Sequence, residues 1–232
     1  MPITQLLMTP GMGTLMQAVH RNVFAYKYGE RYLPVGRLIK GSASADPGNT
    51  GDVRCLRAGL LMGKQTSGGY LAPSILGATG VLHDTSVVTT TMTLPAAVVT
   101  EIQRRIGTSG TFKITGPPTA NGTVATETVT FSAIASATTL TITATSADFA
   151  AGSFIQPTDG SETPVTFLPD GYPIRVSDGT TTYDPEFPMV PVGGVIKSDW
   201  LIDWPSDTSL RAWIVSKLTT AGVGNYTFTH LI

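Results

Sequence analysis

Thr123-Val-Ala-Thr-Glu-Thr-Val-Thr-Phe131, followed by Thr138-Thr-Leu-Thr-Ile-Thr-Ala-Thr145, decides the fold class. In the first stretch Val124, Thr126, Thr128 and Thr130 alternate with Ala125, Glu127, Val129 and Phe131. In the second, Leu140, Ile142 and Ala144 alternate with Thr139, Thr141, Thr143 and Thr145. Successive side chains of a strand point to opposite faces, so a period of two with threonine on one side describes a sheet with one wet face. Threonine is β-branched and suits a pleated strand without adding charge. The chain holds 36 threonines, and this reading accounts for them without a catalytic role.

Outward from this stretch, Phe112 to Thr115 reads as a further strand, with turn signals at Gly116-Pro117-Pro118 and Asn121-Gly122. Residues 95–106 read as a helix: Pro95 suits its first position, Val98, Ile102 and Ile106 recur every four residues, and Gly107 lies past its end. Arg104 and Arg105 in the last turn complement the helix dipole. A second helix is expected over 206–222, capped by Ser206, with Leu210, Trp213, Ile214, Val215 and Leu218 facing the core. Tyr226 to Ile232 alternates as a last strand paired into a sheet. On the N-terminal side, Leu60 to Thr66 and Tyr70 to Pro73 flank Ser67-Gly68-Gly69 and read as a hairpin. Residues 168–205 read as loop-rich. Gly41 to Gly51 reads as a flexible loop with almost nothing to bury. The expected organisation is an N-terminal arm with extended loops over 1–52, a β unit from 53–92 with 163–232, and an inserted helix-plus-β unit at 93–162. The fold class is mainly β (α+β).

Charged residues make up 13% of the 232, about half the usual share of roughly 25%. The net charge is −1 and the mean hydropathy +0.15. Residues 1–64 carry eight basic groups against three acids, for +5, and the remainder carries −6. This composition excludes a disordered solvating chain and argues against a general nucleic-acid binder. No run of 18 apolar residues occurs, so no membrane span is expected, and Met1 to Gln17 does not read as a signal peptide. A surface poor in charge suits a subunit covered by partners, or a β-rich exterior such as an adhesin.

Chemical motifs are weak. Gly59-Leu-Leu-Met-Gly63-Lys64-Gln65 has neither the glycine spacing nor the Ser or Thr of a phosphate-binding loop, and a hairpin reading is preferred. His20, His83 and His230 lack metal-ligand spacing. A hydrolase using His83 or His230 would need a Ser or Asp within reach of an imidazole. Cys55 lies between Arg54 and Arg57, which could lower its pKa, although a small buried hydrophobe is the preferred reading. Asp159, Glu162, Asp170, Asp178 and Asp184 lack calcium-loop spacing and are read as turn formers. Tyr26, Tyr28 and Tyr32 among Lys27, Arg31 and Arg37 suit a protein interface better than a nucleic-acid platform.

Leu56-Arg-Ala-Gly59-Leu-Leu-Met62-Gly63-Lys64-Gln-Thr-Ser-Gly68-Gly69-Tyr70-Leu-Ala-Pro73, ending in Gly80-Val81-Leu82, resembles the head decoration (cement) proteins of lambda-like tailed bacteriophages. The resemblance extends to Gly193-Gly194-Val195-Ile196 and the 206–222 helix, about half the chain; the 93–162 insertion and the long N-terminal segment lie outside it. It implies a small β-barrel or β-tulip-like decoration domain with one or two helices. It further implies a structural virion protein, not an enzyme and without cofactor or metal. Such a protein is made in the bacterial host cytoplasm and forms a homotrimer on the capsid exterior, bound to the major capsid protein, with no nucleic-acid or membrane partner. The expected anchors are Leu6, Leu7, Met8, Met12 and Phe24, with Arg21, Arg31 and Arg37 at the rim and Tyr26, Tyr28 and Tyr32 in the interface. The alternative is a phage tail or baseplate component, or a receptor-binding adhesin.

Overall fold

The computed structural model describes residues 23, 31–32, 36–84, 90–116, 124–169, 174–187, 190–220 and 225–229. In chain order the elements are β1 (Arg31–Tyr32), β2 (Arg37–Leu38), β3 (Cys55–Leu56), β4 (Leu61–Lys64), β5 (Leu71–Pro73), β6 (Gly77–Ala78), β7 (Thr91–Thr93), α1 (Ala96–Arg105), β8 (Gly110–Gly116), β9 (Ala125–Ser136), β10 (Thr139–Ile142), β11 (Phe154–Gln156), β12 (Pro164–Phe167), β13 (Ile174–Arg175), β14 (Glu186–Phe187), β15 (Pro191–Lys197), α2 (Thr208–Thr220) and β16 (Asn225–Thr229). The fold is mainly β, 38% strand against 17% helix, with a sheet curled into a half-barrel.

The largest sheet has six strands in the order β6-β11-β8-β9-β10-β7. The threonine-alternating stretches form its β9 and β10. Their inward residues, Val129, Phe131, Leu140 and Ile142, join Phe112, Ile114, Met92, Leu94 and Phe149 in one core. Helix α1 closes that core with Val98, Val99 and Ile102; burying a side chain of this size contributes roughly 1.5–3 kcal/mol. Pro95 stands at the cap position just outside α1, and Gly107 follows it at φ 117°.

The remaining sheets are small: β1-β15-β16, β12-β4-β5, and the pairs β13-β3 and β14-β2. They surround two further cores, one built on Leu61, Phe167, Ile196, Leu210, Ile214 and Leu218, the other on Ile39, Leu56, Leu60, Met62, Leu71 and Phe187. β15 pairs antiparallel with β1 and parallel with β16, the latter reached through α2. Of the strand expected over Tyr226 to Ile232, residues 226–229 are paired in β16, and 230–232 lie outside the described residues. Asp207, and not Ser206, caps α2: its Oδ1 accepts the backbone N–H groups of Ser209 and Leu210, both at 2.9 Å.

Two expectations change. Residues 191–197, read as loop because of Pro191, Gly193 and Gly194, form a seven-residue strand. Segment 41–46 is not an exposed loop: Gly41, Ala43, Ser44, Ala45 and Asp46 are buried. Small side chains let this backbone pack closely, and its carbonyls serve as acceptors for arginines of α1.

The six-stranded sheet meets the rest of the molecule along alternating residues. Leu76 and Ile155 belong to its own core, whereas their neighbours Ile75 and Phe154 belong to the core around Phe167. Phe154 packs there against Trp213, ring centroids 6.2 Å apart.

Candidate functional site

Of the residues expected at an interface, Leu6, Leu7, Met8, Met12, Arg21, Phe24, Tyr26 and Tyr28 lie outside the described residues. Arg31 is exposed in β1 opposite Gly193, and Tyr32 is half-buried against the Phe167 core. Arg37 is exposed in β2 opposite Phe187. The structure separates these three, with one packed inward and two at the surface. Much of the cationic character of the N-terminal third is met internally. Lys40 pairs with Asp184 at 2.8 Å, Arg57 with the buried Asp46 at 2.6 Å, and Arg54 with Asp52 at 3.3 Å.

The hairpin of the Gly63-Lys64 motif is β4–β5, with Gly68 and Gly69 at φ 73° and 68° in its turn. Lys64 is exposed at the end of β4. Gly63 lies against the Ser161 backbone so closely that a Cβ would collide with the Ser161 carbonyl. The motif's glycine is thus explained by close packing of two backbones.

A polar seam runs where the six-stranded sheet meets this hairpin. Its centre is Arg105, whose side chain is 2% exposed. The guanidinium donates to the carbonyls of Ala43 (2.5 Å) and Pro73 (3.1 Å), to Asp159 Oδ2 (3.0 Å) and to Ser161 Oγ (2.6 Å). Asp159 also accepts from Gln65 Nε2 at 2.7 Å, and these donors hold its carboxyl at about 2 despite burial. Farther along, Lys113 pairs with Glu162 at 2.6 Å, and the buried Thr115 hydroxyl donates to Gln156 Oε1 at 2.6 Å. Of the acids read as turn formers, Asp159, Glu162 and Asp184 pair with cations, Asp178 accepts the turn N–H groups of Thr180 and Thr181, and Asp170 lies outside the described residues. Among the described residues no group of three His, Cys, Asp or Glu side chains gathers to hold a metal ion.

Two sequence candidates for reactivity are placed by their neighbours. His83 is buried, its Nε2 2.9 Å from Thr145 Oγ1, and burial holds its pKa below the ordinary value. The Thr145 hydroxyl donates to the Ala147 carbonyl at 3.1 Å, so the imidazole N–H donates to Thr145 and is not poised as its base. Burial and Asp52 push the Cys55 thiol up, against Arg175 and Arg54. The Arg57 fork is turned to Asp46 instead.

A cleft of about 500 Å³ lies between Arg57 and the segment from Asp199 to Arg211. Asp203 lines it with φ 63°, alone among the described non-glycine residues in being left-handed. The residue keeps an exposed surface along its turn, yet its carboxyl is crowded enough to be desolvated. Desolvation and the nearby Asp46 push it up to about 6 against the pull of Arg57. Nothing in the local sequence marks this cleft, in which Arg57 meets a single segment, 199–211, much later in the chain.

The outward side of the large sheet is rich in hydroxyls, with Lys113 of β8 opposite Thr128 and paired to Glu162. Thr126, Thr128, Thr130 and Ser132 are exposed along β9, and cross-strand pairs set Thr111 beside Thr130, Thr139 beside Thr93 and Thr141 beside Thr91. The charged residue within β7, β9 and β10 is Glu127, whose carboxylate accepts the Ser146 N–H at 2.8 Å and hydroxyl at 3.0 Å. Set against known proteins, the chain matches no family model, no curated protein and no solved structure.

Proposed function

We propose that the protein is a structural virion component that decorates the outer face of a tailed-phage head and ties neighbouring capsomers together. The observation that carries this reading is the threonine-ranked outward side of β7, β10 and β9, whose strands hold one charged residue, itself hydrogen-bonded at the rim. Covering charged side chains costs desolvation free energy, whereas hydroxyls can exchange water for partner hydrogen bonds. Threonine also loses little rotamer freedom on being covered. Interface centres are correspondingly depleted of charge. The likeness of the β4–β5 hairpin to the cement-protein motif points the same way.

In this reading the partners are the major capsid protein and further copies of the chain, arranged as a homotrimer, and the protein acts by mass action. A subunit that binds the expanded shell and not its alternatives stabilises it by RT ln(1 + [L]/Kd) per site. Cryo-electron microscopy of purified virions tests the proposal. Density for the chain is expected on the outer capsid lattice, and its absence from the lattice, or its presence only on tails, overturns the reading.

A further inference from the structure

β8 pairs with β9 only as far as Gly110 opposite Phe131. Beyond that point Ser132 to Ser136 have β10 on one side and, among the described residues, no strand on the other. Ser132, Ala133, Ala135 and Ser136 are exposed and Ile134 is half-buried. Proteins usually blunt an exposed edge with lysine, proline or bulges, because its unpaired N–H and C=O groups template another strand. This edge has neither charge nor proline. It has two irregularities, where β9 runs ahead of β10 by one residue, and these confine regular pairing to the middle of the segment.

The edge reads the same in both directions: Ser132-Ala133-Ile134-Ala135-Ser136. A twofold interface uses one patch on both subunits, so that patch must be complementary to itself. An antiparallel pair about an axis through Ile134 sets Ser132 opposite Ser136 of the second copy, Ala133 opposite Ala135, and Ile134 opposite its own counterpart. Each position meets a residue of the same kind and size, and no charge is trapped between the strands.

We infer that two copies of the chain associate through this edge, antiparallel and centred on Ile134, so that the two large sheets join across a twofold axis. Five residues a side fall short of the roughly 800 Å² per partner of a standard stable interface, so the dimer is weak and concentration-dependent. Holding copies close together on a surface raises their effective concentration and strengthens the contact. The inference does not rest on capsid binding, and a lattice with threefold seats also offers twofold axes between them.

Sedimentation of the full chain over concentrations up to about 1 mM tests it. The wild type is expected to show a reversible monomer–dimer equilibrium. Ala133→Lys with Ala135→Lys sets like charges opposite each other at both symmetric positions and should weaken association at least tenfold. Ala133→Lys with Ala135→Glu sets an ammonium opposite a carboxylate at both positions and should restore it. Both positions are exposed, and unchanged thermal transitions verify the fold. Independently, hydrogen exchange at those wild-type amides of residues 132–136 that face the open edge should slow as protein concentration rises. A wild type that stays monomeric throughout, equal behaviour of the two double variants, or exchange indifferent to concentration overturns the inference.

Discussion

The large sheet and the body around it are held together on different length scales. In the sheet, β8 pairs with β9 and β9 with β10 across short connections, and the core draws on residues 76–155 alone. In the body, Arg31 pairs with Gly193, Leu38 with Glu186 and Leu56 with Ile174, each across more than a hundred residues and with at least one two-residue strand in every pair. Closing such loops costs chain entropy before any contact offsets it. The sheet can therefore assemble from its own segment, whereas the body requires nearly the whole chain. Between them lies the seam around Arg105, where polar contacts replace apolar ones.

The largest effect is expected where the two regions are joined. Arg105→Ala leaves the partly exposed Asp159 and two carbonyls without their buried donor and should destabilise by about 2–3 kcal/mol, the scale of lost hydrogen bonds to charged groups. Thermal unfolding followed by circular dichroism should then split into separate transitions for the sheet and the body; a single transition within 1 °C of wild type would show that the seam does not couple them. Gly63→Ala attacks the seam from the body side. Its new methyl strikes the Ser161 carbonyl, and separating the two backbones should cost about 1–3 kcal/mol in a denaturant titration.

Asp207→Ala acts within the body alone. Loss of the α2 cap should cost about 1 kcal/mol and speed hydrogen exchange in α2 while leaving β8 and β9 amides unchanged. The smallest effect is one of pH. The folded state holds the Asp203 proton up to about 6, above the ordinary 3.8, so it binds that proton more tightly than the unfolded chain does. The resulting destabilisation is fully present above pH 6 and disappears as pH falls below about 4. Asp203→Asn keeps a residue that tolerates left-handed backbone. Its melting temperature should gain on wild type as pH rises from 4 to 7, and a constant difference would contradict the assignment.

The difference in length scale also decides what could be read from sequence. Strands β9 and β10, helix α1 and the β4–β5 turn follow from patterns a few residues long, because their partners are neighbours in the chain. The two-residue strands β2, β3, β13 and β14 carry no such pattern, being fixed by partners elsewhere. Proline and glycine concealed β15, whose glycines are accommodated between β1 and β16. Gly41 to Asp46 looked solvent-exposed because its side chains are small, yet smallness is what admits Arg104 and Arg105 to its carbonyls. Arg105 itself was legible only as a complement to the helix dipole. The signal for more was an acid, Asp159, fifty-four residues away, with nothing in the local sequence to connect them.

The chain leaves the body at Gly77 and returns beside it at Ile155, where β6 and β11 pair. While the sheet is folded, those two positions are fixed as firmly as if cross-linked, and the body's chain experiences the whole intervening segment as a closed ring. A covalent link across a loop of this length removes an unfolded-state entropy on the order of 4–5 kcal/mol. The sheet thus acts as a reversible staple, and the stability of the body rises and falls with the integrity of a core to which most of its residues do not belong.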